Sequence, residues 1–295
     1  MASLLARVKS KLFIASTLKS VHPLDGGYAS LVRGRSLDFE DLRAYEMGDE
    51  VRDIDWRATA RTGEPMVRRS YAERRHTILF VVDSGVGMRA LAHDEGSKKD
   101  LAILTVGALA SLAVRHGDNV VLMYAEDGRV RRRVSRSSEG GVELLLRSLD
   151  AALDAATDDA PRDLLLRNVA QTVTRRTIVV FLTDDVPIGD DSERNLRRLR
   201  VQHDILWLTL RDADPVLLEA PARRRRDANT GWVVPDFLHG SAEIVAEIQA
   251  QRAEADARRA SLLDRLEITH VALEGQDTVI PGLLRMLHRR ANARG

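Results

Sequence analysis

The chain has no cysteine among its 295 residues. That absence removes disulfides, thiolate metal sites and cysteine nucleophiles together. It fits a reducing compartment, and a cytoplasmic location is the expectation. Lysine is scarce: five of the 45 basic residues are lysine and forty are arginine. An excess of charge of either sign is also missing, since the net charge is +1. Global attraction to nucleic acid or to an anionic membrane therefore has no basis. No apolar run approaches the ~20 residues that a membrane helix needs. Arg7, Lys9 and Lys11 interrupt the apolar residues of 1–19, which argues against a signal peptide. No Gly-x-x-x-x-Gly-Lys-Ser/Thr loop occurs, so ATP hydrolysis by this chain is not expected. No Gly-x-Ser-x-Gly elbow occurs, and no third glycine follows Gly85-x-Gly87 to complete a dinucleotide fingerprint. His76, His93, His116, His203 and His270 are scattered without ligand spacing.

What is present in abundance is paired charge. Residues 33–75 hold ten arginines, ten acids and no lysine, with Phe39, Leu42, Tyr45, Val51, Ile54 and Trp56 recurring among them. A solvated charge run lacks such anchors. A packed segment must pair its charges, and arginine's planar fork binds a carboxylate through two parallel hydrogen bonds. Arg43, Asp49, Arg52, Asp55 and Arg61 therefore read as a partly buried network, with Trp56 as a core anchor. Self-pairing is favoured over capture of a phosphate or partner carboxylate, because acids and bases are equal in number.

The order Gly34, Phe39, Leu42-Arg43, Tyr45, Gly48-Asp49, Arg52, Ile54-Asp55-Trp56, Ala60-Arg61 and Arg69 resembles the bacterial domain-of-unknown-function family fifty-eight. The resemblance covers about forty residues closely and extends weakly through the Asp83 strand and the Asp214-Pro215 to Pro221 region. It implies a von Willebrand factor A-like domain of the kind often encoded beside MoxR-type AAA+ ATPases, and no established enzymatic activity.

Apolar runs alternate with helical patterns from His76 onward. Strands are expected over His76–Val82, Asn119–Ala125, Val130–Val134, Thr177–Leu182, Asp204–Leu210 and Ile268–Leu273. Helices are expected over Leu101–Val114, from after Gly140-Gly141 through about Ala156, and over 162–175, 191–200, 241–265 and 278–290. Alternation of this kind means right-handed crossovers and an α/β doubly wound, mostly parallel sheet. The division is then an N-terminal helix and loop (1–32), the arginine-rich segment packed on the core (33–75) and the α/β domain (76–295). Leu4, Leu5, Val8, Leu12 and Leu18 give residues 3–19 one apolar helical face, read as a lead-in helix packed on the domain. A membrane-surface helix is the alternative, favoured only by Lys9, Lys11 and Lys19.

Asp83 and Asp184 close two of these strands, and the resemblance places the strands side by side. The von Willebrand A-type metal site uses Asp-x-Ser-x-Ser at the first of them. Gly85 and Gly87 stand where the serines belong, and glycine supplies no side-chain oxygen. Gly141-Val142 stands where the threonine ligand would be sought, and Ser84 is expected to point elsewhere. A degenerate site results, its carboxylates capping helices or binding water. The alternative is weakly held Mg²⁺ on Asp83, Asp184 and Asp185. Ser84, Gly85 and Gly87 line the expected crevice. The function expected first is a non-enzymatic protein-interaction module. It would be an adaptor for a MoxR-type ATPase in protein assembly, maturation or stress response. A Mg²⁺-dependent phosphoester hydrolase centred on Asp83 and Asp184 is the second reading. Nucleic-acid binding through Arg223–Arg226 is the third, although Asp227 and the missing aromatic ladder favour a solvated loop there.

Overall fold

A computed structural model describes residues 3–17, 24–28, 41–47, 49, 51, 54–69, 76–135, 137–157, 162–219 and 224–292. The expected apolar runs are strands: β3 (Thr77–Val82), β4 (Asn119–Glu126), β5 (Arg129–Ser135), β6 (Ile178–Thr183), β7 (Asp204–Leu210) and β8 (Thr269–Leu273). They form one sheet in the order β5-β4-β3-β6-β7-β8, all parallel except the edge strand β5. The arginines Arg131 to Arg133 on β5 blunt that edge against pairing with other chains.

Both faces of the sheet are covered, which is why its strands read as continuous apolar runs without alternation. Successive side chains point to opposite faces. Ile78, Phe80 and Val82 of β3 join one core with helices Lys98–Arg115, Glu139–Asp154 and Gln276–Asn292. Leu79 and Val81 join the other, with helices Arg162–Thr172, Asp190–Gln202 and the end of Ala242–Arg265. The N-terminal helix Leu4–Thr17 belongs to the first core through Leu5, Val8 and Leu12. Gly107 lets it close in, because a Cβ there would stand 2.7 Å from Val8 Cγ2. Glu143 holds its first turn, accepting from the Leu5 amide at 2.8 Å and the Leu4 amide at 3.3 Å. These bonds keep the Glu143 carboxyl below its ordinary range despite burial, which acts the other way. Tyr28 is buried beneath the same side and donates to Asp118 Oδ2 at 2.7 Å.

The family segment makes a small unit. β1 (Asp41–Ala44) pairs antiparallel with β2 (Met66–Arg69), and the helix Trp56–Thr62 lies between them in sequence. Asp55 is that helix's N-cap, accepting from the amides of Arg57 and Ala58 at 2.9 and 3.0 Å. Gly63 closes it in the left-handed region at φ 81°. Asp49 accepts from the Glu46 amide, and Arg61 is exposed. Arg52 and the side chain of Arg43 lie outside the described residues, as do residues 29–40.

Trp56 is not the core anchor its setting suggests. It is 66% exposed, and Ala58 and Val67 are the buried residues of the unit. Helix periodicity explains this, since Ala58 takes the inward face and Trp56, two positions earlier, lies away from it. Trp56→Ala is accordingly expected to change stability by less than about 1 kcal/mol. Thermal melts check this, and a loss of several kcal/mol would mean the ring is covered.

Candidate functional site

From β3 the chain builds β4 and β5 to one side and then β6, β7 and β8 to the other. Between β3 and β6 the order reverses and the following helices pack on opposite faces, which is where a doubly wound sheet places its functional residues. Asp83 and Asp184 both stand there, as expected. Asp83 follows β3 and donates its amide to Leu182 O at 2.8 Å, while Asp184 follows β6. Both side chains are buried.

The turn after β3 is built by its small residues. The Asp83 carboxylate accepts from the Gly85 amide at 3.1 Å. Ser84 turns the other way, donating to Ala125 O at 2.7 Å and accepting from the Ala125 amide at 2.9 Å. It ties the end of β4 to the turn and presents nothing to the carboxylates. Gly87 is needed for space, since a Cβ there would stand 1.9 Å from Asp184 Oδ2. The Asp184 carboxylate therefore occupies the volume a serine would require. Gly141 and Val142 belong to the first turn of the helix Glu139–Asp154, where the N-cap Ser138 accepts from the Gly141 amide.

The crest also contains a cation that the sequence pattern did not single out. Residues 91–97 fold back on themselves through the bridge Leu91↔Ser97 and lie against the residues after β7 through the bridge Ala92↔Asp212. The bonds His93 N–Arg211 O and Ala213 N–Leu91 O, both 3.0 Å, hold them there. This delivers the first turn of the helix Lys98–Arg115, capped by Ser97, to the ends of β6 and β7. The Lys98 ammonium, fully buried, donates to Asp184 Oδ1 and, at 2.6 Å, to Asp212 Oδ1. A cation at a helix N-terminus opposes the macrodipole, so the two carboxylates must fix it there. Burial alone would lower the Lys98 pKa, but Asp184 and Asp212 more than offset that and leave it raised. Burial, with Asp184 second, lifts Asp83 to about 6 against the pull of Gly85, Arg162 and Lys98. Burial also lifts Asp212 to about 6, Lys98 opposing and Asp184 adding.

Asp185 is not directed at this cluster. It pairs with Arg259 at 2.6 Å and faces Arg211, whose guanidinium also holds Asp256. Arg162 donates to Val186 O at 2.9 Å and Pro187 O at 2.6 Å, fixing the loop after β6. Arg252 binds the backbone after β7 at Asp212 O and Ala213 O and pairs with Asp214. Sequence reasoning missed Lys98, Asp212 and Arg162. The signals were a lysine in a chain built on arginine and a third strand-end acid, just beyond Leu210.

The excursion after β7 leans over the crest. Residues 225–234 fold back on themselves through Val234 N–Arg225 O and Asp227 N–Trp232 O. Asp227 closes the turn by accepting from the Thr230 amide and hydroxyl, with Gly231 at φ 71°. Arg225 pairs with Glu95 at 2.6 Å, and Arg224 faces Asp236 at 3.5 Å. Arg223 lies outside the described residues. Asn229 Oδ1 reaches to 3.6 Å from the Cβ position of Gly87.

The residues present do not fit the metal that the von Willebrand A-like resemblance implies. Gly85 and Gly87 offer no oxygen, Asp185 is committed to arginines, and an ammonium stands between Asp184 and Asp212. Among the described residues no group of three acidic, histidine or cysteine side chains has the geometry to hold a metal ion. Nor is any described helix long and apolar enough to cross a membrane.

Comparison with known proteins places this architecture in context. Uncharacterized proteins of Mycobacterium bovis and Mycobacterium tuberculosis are 28% identical over 202 residues, 66% of this chain. The match spans 61% of those relatives' length. Among solved structures, a von Willebrand factor type A protein from Catenulispora acidiphila aligns at 9% identity with a TM-score of 0.38. That alignment covers 72% of this chain and 42% of that one. The PilB minor pilin from Streptococcus sanguinis aligns at 9% identity and a TM-score of 0.44, over 79% and 66% of the two chains. A family model described as "Protein of unknown function DUF58" matches residues 41–258, most of the chain, and the protein belongs to that family.

Proposed function

We propose that the protein is a non-enzymatic interaction module whose contact surface is the crest at the carboxyl ends of β3, β6 and β7. One observation carries this reading: Asp184, Asp212 and Asp185 are each held by an internal cation. Lys98 binds Asp184 and Asp212, and Arg259 binds Asp185. Hydrolysis of a phosphoester needs a nucleophile or an activated water. Carboxylates bound to internal cations activate neither, Asp83 accepts from the Gly85 amide, and Ser84 Oγ is held by Ala125. The surrounding loops expose Leu91, Val186 and Trp232, and the family segment exposes Tyr45, Met47, Val51 and Trp56. Aromatic and large apolar side chains of this kind anchor protein interfaces. The arginines Arg224 and Arg225 face acids, which weighs against a phosphate-binding loop.

A MoxR-type AAA+ ATPase is the partner the family resemblance suggests, with the chain acting as an adaptor in protein assembly, maturation or stress response. Asp212 is the crest carboxylate with most exposure, at 35% of its side chain. A partner's basic side chain is the complementary contact. The test is co-purification of tagged chain from its own host in the presence of chelator, read by mass spectrometry. Wild type is expected to retain the ATPase, and Asp212→Asn, which keeps an oxygen for the Lys98 ammonium but removes the charge, to lose most of it while remaining folded by circular dichroism. Absence of any AAA+ ATPase from the wild-type sample would sink the adaptor reading.

A further inference from the structure

We propose that the Lys98 ammonium is the resident cation of the crest. It fills, by covalent attachment, the position a divalent ion would otherwise take between the strand-end carboxylates. The crest then accepts Mg²⁺ or Mn²⁺ only when that ammonium is removed. The inference starts from a mismatch between residue choice and composition. This chain uses arginine forty times and lysine five, yet the fully buried cation between Asp184 and Asp212 is a lysine. Arginine's flat fork suits one carboxylate held in two-pronged fashion. A small rounded ammonium with three donors suits carboxylates converging on one point from different strands, which is also what a metal ion does.

The surroundings agree. Asp184 Oδ1 and Asp212 Oδ1 converge on Nζ from the ends of β6 and β7. The Asp83 carboxylate closes the same cluster from β3, close enough to feel both Asp184 and Lys98. Gly87 leaves the room that Asp184 uses. The helix begins with lysine where its dipole favours an acid, so nothing local explains the choice. With the ammonium in place Asp184 and Asp212 are both paired without metal, and the position between them is filled.

Lys98→Ser vacates the position and leaves two converging carboxylates, to which Mg²⁺ can add its own waters. The experiment is thermal melting of wild type and Lys98→Ser with and without millimolar Mg²⁺ or Mn²⁺, supported by calorimetric titration with Mn²⁺. The wild-type midpoint is expected to be indifferent to metal. The Lys98→Ser midpoint is expected to fall, and then to rise by roughly 5 °C or more with metal at about a hundredfold over its dissociation constant. Adding Asp184→Asn to Lys98→Ser should abolish that rise. A folded Lys98→Ser protein with no saturable Mn²⁺ binding overturns the proposal. So does wild-type protein whose midpoint rises with Mg²⁺ and loses that rise on Asp184→Asn. Should Lys98→Ser fail to accumulate folded, wild type decides through amine acylation under native conditions, mapped by peptide mass. Lys98 should stay unlabelled while its neighbour Lys99, 24% exposed, is modified. Labelling of Lys98 at the rate of Lys99 sinks the idea.

Discussion

Lys98→Met is expected to destabilise the protein by about 3–5 kcal/mol at pH 7.5, the cost of breaking a buried ion pair from one side. Methionine keeps most of the side-chain volume, so the loss is electrostatic and leaves little cavity. Without the ammonium, Asp184 and Asp212 face each other and Asp83 with no cation between them. Asp83 and Asp184, both buried, then carry a desolvation penalty with no compensating charge. Lys98→Arg is expected to recover little of the loss, because a flat fork suited to one carboxylate does not reproduce a small ammonium between two carboxylates converging from different strands. Urea denaturation measures both variants. A Lys98→Met midpoint equal to that of wild type would mean that the ammonium does not sit between the two carboxylates.

The loss should fall on the crest's geometry as well as on global stability. Lys98 joins the helix that follows β3 to the ends of β6 and β7, and Arg162, Arg252 and Arg259 bind the neighbouring loop backbones at 2.6–3.2 Å. Strand ends in a doubly wound sheet diverge, and their loops carry few backbone bonds of their own. Internal ion pairs supply that missing connection, at the expense of desolvation. A surface held this way presents a fixed shape to a partner, which lowers the entropy lost on binding.

The sheet was legible from the sequence because burial on both faces makes each strand an unbroken apolar run bounded by polar turns. The boundaries of β4 and β7 could be read almost to the residue. Asp83 and Asp184 were legible for the same reason, as acids standing where an apolar run stops. Lys98 was not. In Ser-Lys-Lys-Asp it reads as the solvated start of a helix, and only the contact of residues 91–97 with the residues after β7 carries it inward. Asp212 needed the same contact, since nothing local separates it from Asp214 or Asp185. Trp56 misled in the opposite direction. An aromatic among arginines and aspartates reads as the anchor of a packed segment, yet the helix it starts buries Ala58 and turns the indole outward. Pattern identifies what is apolar, while the choice between facing a core and facing a partner is made by the register of the element.

Asp83→Asn is expected to act against intuition and raise stability at neutral pH. In the folded protein Asp83 titrates near 6, against an ordinary value of 3.8, because burial and then Asp184 disfavour its charge. Between those two values the folded state holds more protons than the unfolded state, so this group lowers stability as pH rises through the interval. The penalty is absent below about pH 4 and complete above about pH 6. A shift of about two units corresponds to about 3 kcal/mol. Asparagine removes the charge and keeps an oxygen for the Gly85 amide, now 3.1 Å from Asp83 Oδ1. Urea denaturation should therefore show Asp83→Asn more stable than wild type by up to about 3 kcal/mol at pH 7.5, the difference closing as pH falls to 4. The same change should partly rescue Lys98→Met, because it removes one of the carboxylates that the ammonium had compensated. The two substitutions are then non-additive. A difference between Asp83→Asn and wild type that is equal at pH 4 and pH 7.5 would show that the aspartate acts through shape alone. Strict additivity with Lys98→Met would show that Asp83 and Lys98 do not share one electrostatic site.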